Sequence, residues 1–281
     1  MKIKNILRNW VIAAIAQPKS KVNIGIAQIN YNRILNGQHI VITGGSKGIG
    51  FEMAKKMVSE GATVIITGRN EDALKKAVSQ LGSNAQYIQY DSSNVDGIDS
   101  FLNQCGHIDS LILNAGVSLH EGSFLNVTVD GFDQQYNINL KANYFLAQAF
   151  LKRKLESEET GNLLFISSET AGKSNDIPYG LTKASINSLV GGLARRVYQK
   201  GIRVNAIAPG VTYTDMTKGD HEIADDFANN SAAGRYLLPE EIAEVACFML
   251  SDASKCISGE ILYCDAGSHL KINGFDNNYS L

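Results

Sequence analysis

Residues 40–70 read IVITGGSKGIGFEMAKKMVSEGATVIITGRN. A β-branched run ends at Thr43, glycines crowd the next seven positions, a helical pattern opens near Gly48, and a second β-branched run closes at Thr67. A strand, a glycine turn, a helix and a strand in this order make a βαβ unit of a parallel sheet. Gly44 permits the tight turn, Gly48 lets the backbone come close to a ligand, and Gly50 lets the helix lie against the strand. The main chain from Ser46 through Lys47 to Ile49 then offers N–H groups at the positive end of a helix dipole, which suits the pyrophosphate of a dinucleotide. The spacing T-G-x-x-x-G-x-G is one residue wider between its first two glycines than G-x-G-x-x-G.

The alternation continues outward. HIVIT, TVIIT, QYIQY, SLILN, NLLFIS and RVNAIA are separated by helix-like segments, and EILYCD supplies a seventh strand. Short apolar strands joined by helices predict an α/β fold with a doubly wound parallel sheet of about seven strands. No repeat or Pro/Gly-rich linker interrupts the series. One domain over 37–270 is expected, preceded by an N-terminal arm over 1–36 and followed by a tail over 271–281. A chain of 281 residues, 44% hydrophobic, is long enough for one substantial core. A formal charge of -2 gives no general attraction to nucleic acid. Four cysteines without a C-x-x-C pair and five histidines without ligand spacing point to free thiols in a reducing cytoplasm and to no metal site. In the arm, Ile3, Ile6, Leu7, Trp10, Val11 and Ala14 recur at helical spacing opposite Lys2, Lys4, Arg8 and Asn9. Packing on the body or on a partner subunit, peripheral membrane contact through residues 1–16, and a cleaved secretory signal all suit that pattern.

The end of the second strand selects the cofactor, because an acidic residue there holds a ribose 2′-hydroxyl and repels a 2′-phosphate. The residues are Thr67, Gly68 and Arg69, with no carboxylate before Glu71. Arg69 can pair with a phosphate in a forked geometry and Lys47 adds a point charge, so NADP(H) is expected over NAD(H).

With these motifs the chain resembles the short-chain dehydrogenase/reductase family, of the single-domain kind that includes 3-oxoacyl-carrier-protein reductases and hydroxysteroid dehydrogenases. The resemblance runs from about Gly37 to Gly267 and rests on TGGSKGIG, YDSSN, LNAG, YNINLKANYF, SSETAG, YGLTK, RVNAIAPGVTYTDM and GEILYCDAG in that order. It implies a Rossmann-type sheet in the order 3-2-1-4-5-6-7. It also implies a homodimer or homotetramer built through long helices at about 131–155 and 178–200. Asp91 and Ser92 are implied at the adenine, and Asn114, Ala115 and Gly116 at the cofactor pocket. Pro209, Gly210, Val211 and Thr214 are implied at the nicotinamide carboxamide and diphosphate.

The chemistry can be argued from the residues. Carbonyl reduction requires a proton donor for the oxygen, and a free tyrosine, with a pKa of about 10, is a weak base at neutral pH. Tyr179 and Lys183 stand one helical turn apart, so the ammonium is expected to lower the phenol pKa and to hold the nicotinamide ribose. Tyr179 is then the general acid/base and Lys183 its tuner. Asn139 is expected to bind a water, through backbone or side chain, that links Lys183 to solvent. A serine must donate a hydrogen bond to the substrate oxygen. Ser168 precedes Tyr179 by eleven residues and Ser167 by twelve, a loop about two residues shorter than the resemblance implies. Strand alternation lets only one of the pair face the pocket, and the motif shape favours Ser168. Asn175 and Asp176 belong to that short loop, as wall residues or as a solvated turn. The polar stretch from Asp215 to Leu238, with His221, Asp225, Asp226 and Arg235, is expected to form a substrate lid.

An NADP(H)-dependent enzyme interconverting a small carbonyl and a secondary alcohol, working as a reductase, is the reading that results. The alternative is a dinucleotide-binding scaffold without turnover, which the intact Tyr179, Lys183 and Asn139 argue against. A sugar-nucleotide epimerase would need a larger C-terminal substrate domain.

Overall fold

The computed structural model describes residues 31–217 and 231–270. The amphipathic pattern of residues 3–14 with its membrane contact, the lid residues His221, Asp225 and Asp226, and the tail 271–281 lie outside the described residues.

The strands are β1 (His39–Thr43), β2 (Thr63–Gly68), β3 (Ala85–Gln89), β4 (Ser110–Leu113), β5 (Gly161–Ile166), β6 (Ile202–Pro209) and β7 (Ile261–Cys264). They form one parallel sheet in the order β3-β2-β1-β4-β5-β6-β7, as the sequence implied. The helices are α1 (Gly48–Ser59), α2 (Glu71–Leu81), α3 (Ile98–Cys105), α4 (Val129–Gln135), α5 (Asn143–Glu156), α6 (Pro178–Val197) and α7 (Pro239–Leu250).

Strand alternation divides the core in two. Ile40 and Ile42 of β1, Ile112 of β4, Leu164 of β5 and Ile207 of β6 face Met53 and Met57 of α1 and Ile242 and Ala246 of α7. Val41, Leu111, Leu113, Leu163, Phe165, Val204 and Ala206 face the other way, onto Phe101 of α3, Phe150 of α5 and Val190 of α6. All four residues of β4 and all eight of β6 are buried, as in a parallel sheet covered on both faces, and in β6 this burial includes the polar Arg203 and Asn205.

The chain leaves β1 toward β2 and β3 on one side and returns to β4 on the other. That reversal opens a crevice at the carboxyl ends of β1 and β4, where a doubly wound sheet binds ligands. Between α4 and α5 the helix passes through a π-helical segment, Tyr136–Ala142, without ending. Among the described residues no helix is long and apolar enough to cross a membrane.

Residues 31–36, which the sequence assigned to the arm, are fastened to the body at Glu60. Leu35 is fully buried in the core. The buried Glu60 carboxylate accepts the backbone N–H groups of Tyr31, Arg33 and Ile34 at 3.2–3.4 Å and an ion pair from Lys56 Nζ at 3.0 Å. The same ammonium lies 3.0 Å from Glu244 Oε2 and 5.2 Å from the Tyr31 ring centroid. Burial alone would raise the Glu60 pKa, but the Lys56 bond and the backbone N–H groups outweigh it and hold the carboxyl below its ordinary value. A depressed folded-state pKa stabilises the fold above the unfolded pKa, and that contribution is lost as the pH falls through the folded one. Glu60→Ala leaves a cation and three N–H groups without this partner. Urea unfolding at pH 7 is expected to show a loss of about 3 kcal/mol, and the gap between variant and unaltered chain should close as the pH is taken below 4.

Candidate active site

The glycine turn is closed by residues from β1 and β4. Asn114 Nδ2 donates to the carbonyls of Thr43 at 2.9 Å and Gly44 at 3.0 Å. Thr43 Oγ1 accepts the N–H groups of Asn114 and Ala115, both at 3.0 Å. Gly44 has φ +65°, and a methyl placed on it would stand 3.1 Å from Ala115 Cα. A methyl on Gly50 would stand 2.3 Å from the Gly44 carbonyl oxygen and 2.6 Å from Asn114 Nδ2. The turn therefore leaves no space for a side chain at these positions. Lys47 is the N-cap of α1 and no side chain caps the helix. The N–H groups of its first turn have no partner within the helix and remain available to an anion. This cradle fits the pyrophosphate of a dinucleotide.

At the carboxyl end of β2, Arg69 is exposed and its carbonyl accepts from Gln89 Nε2 at 2.9 Å. Ser46 Oγ faces the same strand end, 3.8 Å from where a Gly68 Cβ would lie. Glu71, the nearest carboxylate in sequence, is taken by Lys75 Nζ at 3.0 Å and by the Tyr87 hydroxyl at 3.1 Å. Asp91 folds back on itself, accepting from Ser93 N and Oγ at 2.9 and 2.8 Å, and Ser92 is half-buried beside it. Lys47 departs from the sequence reading. Its ammonium pairs with Asp215 at 3.2 Å, so the second cation assigned to a phosphate is already matched by a carboxylate 168 positions along the chain.

The segment after β6 covers the glycine turn. Gly210 N–H bonds the Cys264 carbonyl at 2.9 Å, the Val211 carbonyl accepts from Leu237 N–H at 2.9 Å, and Thr212 Oγ1 donates to the Gly210 carbonyl at 2.8 Å. Thr217 Oγ1 donates to the Thr212 carbonyl. Thr214 Cγ2 comes 3.4 Å from the position of a Gly48 Cβ. Pro209 ends β6, so Pro209, Gly210, Val211 and Thr214 form one wall opposite the cradle. Arg235, expected as a lid charge, instead pairs with both oxygens of Glu241 at 2.7 and 2.8 Å and serves the first turn of α7.

The catalytic candidates converge where β5, α6 and the π-helical segment meet. Pro178 starts α6 at the position where its missing N–H costs nothing, which places Tyr179 and Lys183 on successive turns. Lys183 Nζ donates to the Ile166 carbonyl at 2.7 Å and lies 5.7 Å from the Tyr179 ring centroid. Desolvation draws the Lys183 pKa down to about 8. Tyr179 behaves otherwise than its spacing from Lys183 predicted: burial, the largest effect, pushes the phenol pKa up, while a hydrogen bond from Ser168 opposes it. Ser168 Oγ accepts from Thr170 N–H at 3.2 Å and Thr170 Oγ1 at 3.0 Å, which leaves its own proton free to point at the phenol. Ser167 is turned away and donates to Asn187 Oδ1 at 2.6 Å.

Asn139 is fully buried, and both ends of its side-chain amide are hydrogen-bonded. Oδ1 accepts from Val117 N–H at 2.8 Å, and Nδ2 donates to the Val117 carbonyl at 2.8 Å and to Thr182 Oγ1 at 3.3 Å. Its main-chain carbonyl accepts from Asn143 Nδ2 at 2.8 Å. A methyl on Gly116 would fall 3.3 Å from Asn139 Oδ1 and 3.5 Å from Lys183 Nζ, so Gly116 marks the point where cradle and catalytic group adjoin. Thr43, Thr182 and Asn187 escaped the sequence reading because each acts through a partner far away along the chain.

The family model described as Enoyl-(Acyl carrier protein) reductase matches residues 44–269. The 3-oxoacyl-[acyl-carrier-protein] reductase of Chlamydia muridarum is 33% identical over 247 residues, covering 84% of this chain and 99% of that protein. The L-rhamnose 1-dehydrogenase (NADP(+)) of Thermoplasma acidophilum is 30% identical over 244 residues, covering 82% and 96%. A crystal structure of the 3-ketoacyl-(acyl-carrier-protein) reductase of Brucella melitensis complexed with NADH superposes with a TM-score of 0.77 at 26% identity, covering 84% of this chain and 100% of that one.

Gly50→Ala forces a methyl onto the Gly44 carbonyl and should open the turn. Titration calorimetry with NADPH is expected to show binding at least about tenfold weaker, since a charge-assisted bond is worth roughly 1.5–3 kcal/mol. Gly191→Ala, on α6 with no atom within 4 Å of the new methyl, should bind as the unaltered chain does.

Proposed function

The chain belongs to the short-chain dehydrogenase/reductase family, and from that premise we propose that it is an NADP(H)-dependent oxidoreductase that reduces a carbonyl to a secondary alcohol, with Tyr179 as the general acid/base. The observation that carries the reading is the convergence of Ser168, Tyr179 and Lys183 beside Gly116, at the mouth of a glycine cradle. NADP(H), when bound, supplies or accepts the hydride. The chain's own residues handle the oxygen. Ser168 donates its free proton as a hydrogen bond to the substrate oxygen, and Tyr179 Oη delivers a proton to it. A phenol kept protonated by burial is an acid at neutral pH, which suits the reductive direction. Lys183, still largely protonated at pH 7 with a pKa near 8, restores the proton through water held at the Asn139 carbonyl.

Preference for NADP(H) rests on the exposed Arg69 and on the engagement of Glu71 by Lys75 and Tyr87. The relatives' names carry both NADP(+) and NADH, so they support a nicotinamide cofactor more broadly. Gly44, Ser46, Lys47, Gly48, Ile49 and Gly50 would hold the pyrophosphate side, Asp91 and Ser92 the adenine, and Asn114 to Gly116 with Pro209 to Thr214 the nicotinamide end. Substrates are small carbonyl compounds, with 3-oxoacyl thioesters and keto sugars first, given the relatives named above. A homodimer or homotetramer is supported by a groove between α5 and α6 lined by Tyr136, Leu140, Tyr144, Phe145 and Leu189, of which Tyr144 and Phe145 are exposed large hydrophobics. Four unpaired cysteines suit a cytoplasmic setting.

An NADPH-oxidation screen across 3-oxoacyl and enoyl thioesters, keto sugars and diketones is the test. Activity confined to enoyl thioesters would defeat the carbonyl assignment. With an active substrate, Tyr179→Phe is expected to lower kcat by about 10³-fold or more while leaving the NADPH dissociation constant within about twofold. Arg69→Ala should weaken NADPH about tenfold and leave NADH unchanged; equal loss for both cofactors would remove Arg69 from the 2′-phosphate site.

A further inference from the structure

Three consecutive residues at the end of β5 each hold a different turn of α6. The Ile166 carbonyl accepts from Lys183 Nζ at 2.7 Å, the Ser167 hydroxyl donates to Asn187 Oδ1 at 2.6 Å, and the Ser168 hydroxyl lies near enough to the Tyr179 phenol to oppose the rise of its pKa. The helical partners 179, 183 and 187 recur every four residues and so make one stripe along α6. Two of these pairs belong to the proposed chemistry. The third does not reach the reacting atoms, yet at 2.6 Å it is shorter than the Lys183 bond at 2.7 Å.

Ser167 is buried, and its N–H is committed to the Ile207 carbonyl at 2.7 Å. Its hydroxyl also lies 3.4 Å from the Lys183 carbonyl, so Asn187 is its short partner. Asn187 is supported in turn by its Nδ2 group, which donates to the Tyr263 hydroxyl at 3.4 Å. The Tyr263 ring stacks on His269 with centroids 3.8 Å apart and planes 15° apart. His269 is held by the buried Asp265, through Nδ1 at 2.7 Å and its own N–H at 2.9 Å. A methyl on Gly172 would stand 2.8 Å from the Tyr263 hydroxyl, so Tyr263 also backs the short loop that follows Ser168.

We propose that Asn187, backed by Tyr263, is a positioning residue of the catalytic centre: by holding Ser167 it fixes the reach between the Ser168 hydroxyl, just beyond β5, and the Tyr179 phenol on α6. The assignment rests on the catalytic roles proposed for Ser168 and Tyr179. Ser167 and Ser168 are adjacent residues just beyond the end of β5, so holding the Ser167 side chain against Asn187 limits the rotation of this short segment and hence the direction of Ser168. Misplacement of a catalytic group by about 1 Å can cost roughly a hundredfold in rate.

The test uses the full chain labelled with ¹³Cζ-tyrosine, with the Tyr179 resonance identified by its absence in Tyr179→Phe. Asn187→Leu removes the acceptor at similar volume. Asn187→Asp keeps an acceptor for Ser167 and can accept from Tyr263 in place of donating to it. The Tyr179 resonance is expected to move in Asn187→Leu and to stay at its native position in Asn187→Asp at pH 8. Ser167→Ala removes the same bond with a smaller change of shape; it should reproduce the shift and add nothing to it in the double variant. In turnover, Asn187→Leu should lower kcat by about tenfold to a hundredfold at unchanged KM for NADPH, with Asn187→Asp restoring most of it. A Tyr179 resonance unmoved by both Asn187→Leu and Ser167→Ala, or moved equally by Leu and Asp at position 187, overturns the proposal. Absence of turnover in the unaltered chain would overturn the functional reading, while the resonance still decides the positioning role.

Discussion

The junction of Thr43 with Asn114 governs the carboxyl edge of the sheet. Two neighbouring parallel strands end there, and their chains depart in opposite directions, so their terminal N–H and carbonyl groups lose the ladder that paired them. Asn114 satisfies two of the orphaned carbonyls with one amide, and Thr43 Oγ1 satisfies two N–H groups. An unpaired buried polar group costs roughly 1–3 kcal/mol, so this exchange lets the edge end in a crevice instead of being filled. The glycines are the other half of the same constraint. Gly44 and Gly50 press against Asn114 so closely that no side chain could replace them without breaking its bonds.

The same economy rules the deeper half of the site. Lys183 and Asn139 are polar side chains almost removed from water, and each is held by main-chain groups. Lys183 takes the carbonyl of Ile166, and Asn139 takes both the N–H and the carbonyl of Val117. The π-helical turn allows this, because it brings Asn139 inward while Asn143 Nδ2 covers the carbonyl that the widened ladder exposes. The electrostatic consequence is opposite for the two candidate catalytic groups. Burial disfavours the charged form of each, raising the phenol and lowering the ammonium, and so parts two proton affinities that are nearly equal in water: the phenol now holds its proton more tightly than the ammonium does.

Much of this was legible in the sequence, for local reasons. All seven strands could be read because buried parallel strands are short apolar runs bounded by glycine or polar residues, and the cradle could be read because its glycines answer a backbone need. Strand alternation let only one of the two serines face the pocket; in the structure both turn toward α6, Ser168 at Tyr179 and Ser167 at Asn187 two turns further on. What could not be read depends on partners distant in the chain. Nothing near Lys47 announces Asp215, and nothing near Asn139 announces that Val117 and Thr182 engage its side chain. The phenol pKa was misjudged because one helical turn brings Lys183 near the Tyr179 ring while its amine is drawn to Ile166 instead.

The short loop after Ser168 shows how a lost length can be absorbed. Glu169–Gly172 winds into a 3₁₀ turn, with Lys173 paired back onto Glu169 at 3.2 Å. Asn175 then folds inward, donating to the carbonyls of Thr170 and Lys173 at 2.7 Å each. Its Oδ1 comes within 2.0 Å of where a Cβ on Gly180 would be, so the glycine beside Tyr179 is what makes room for the staple. Asn175 is therefore a structural member of the loop and neither a free wall residue nor a solvated turn, while Asp176 is exposed. A wall stapled from within and backed by Tyr263 has little freedom to shape itself to a ligand. Any adjustment to a ligand must then come from the other sides of the crevice, because this one is fixed by its own internal bonds.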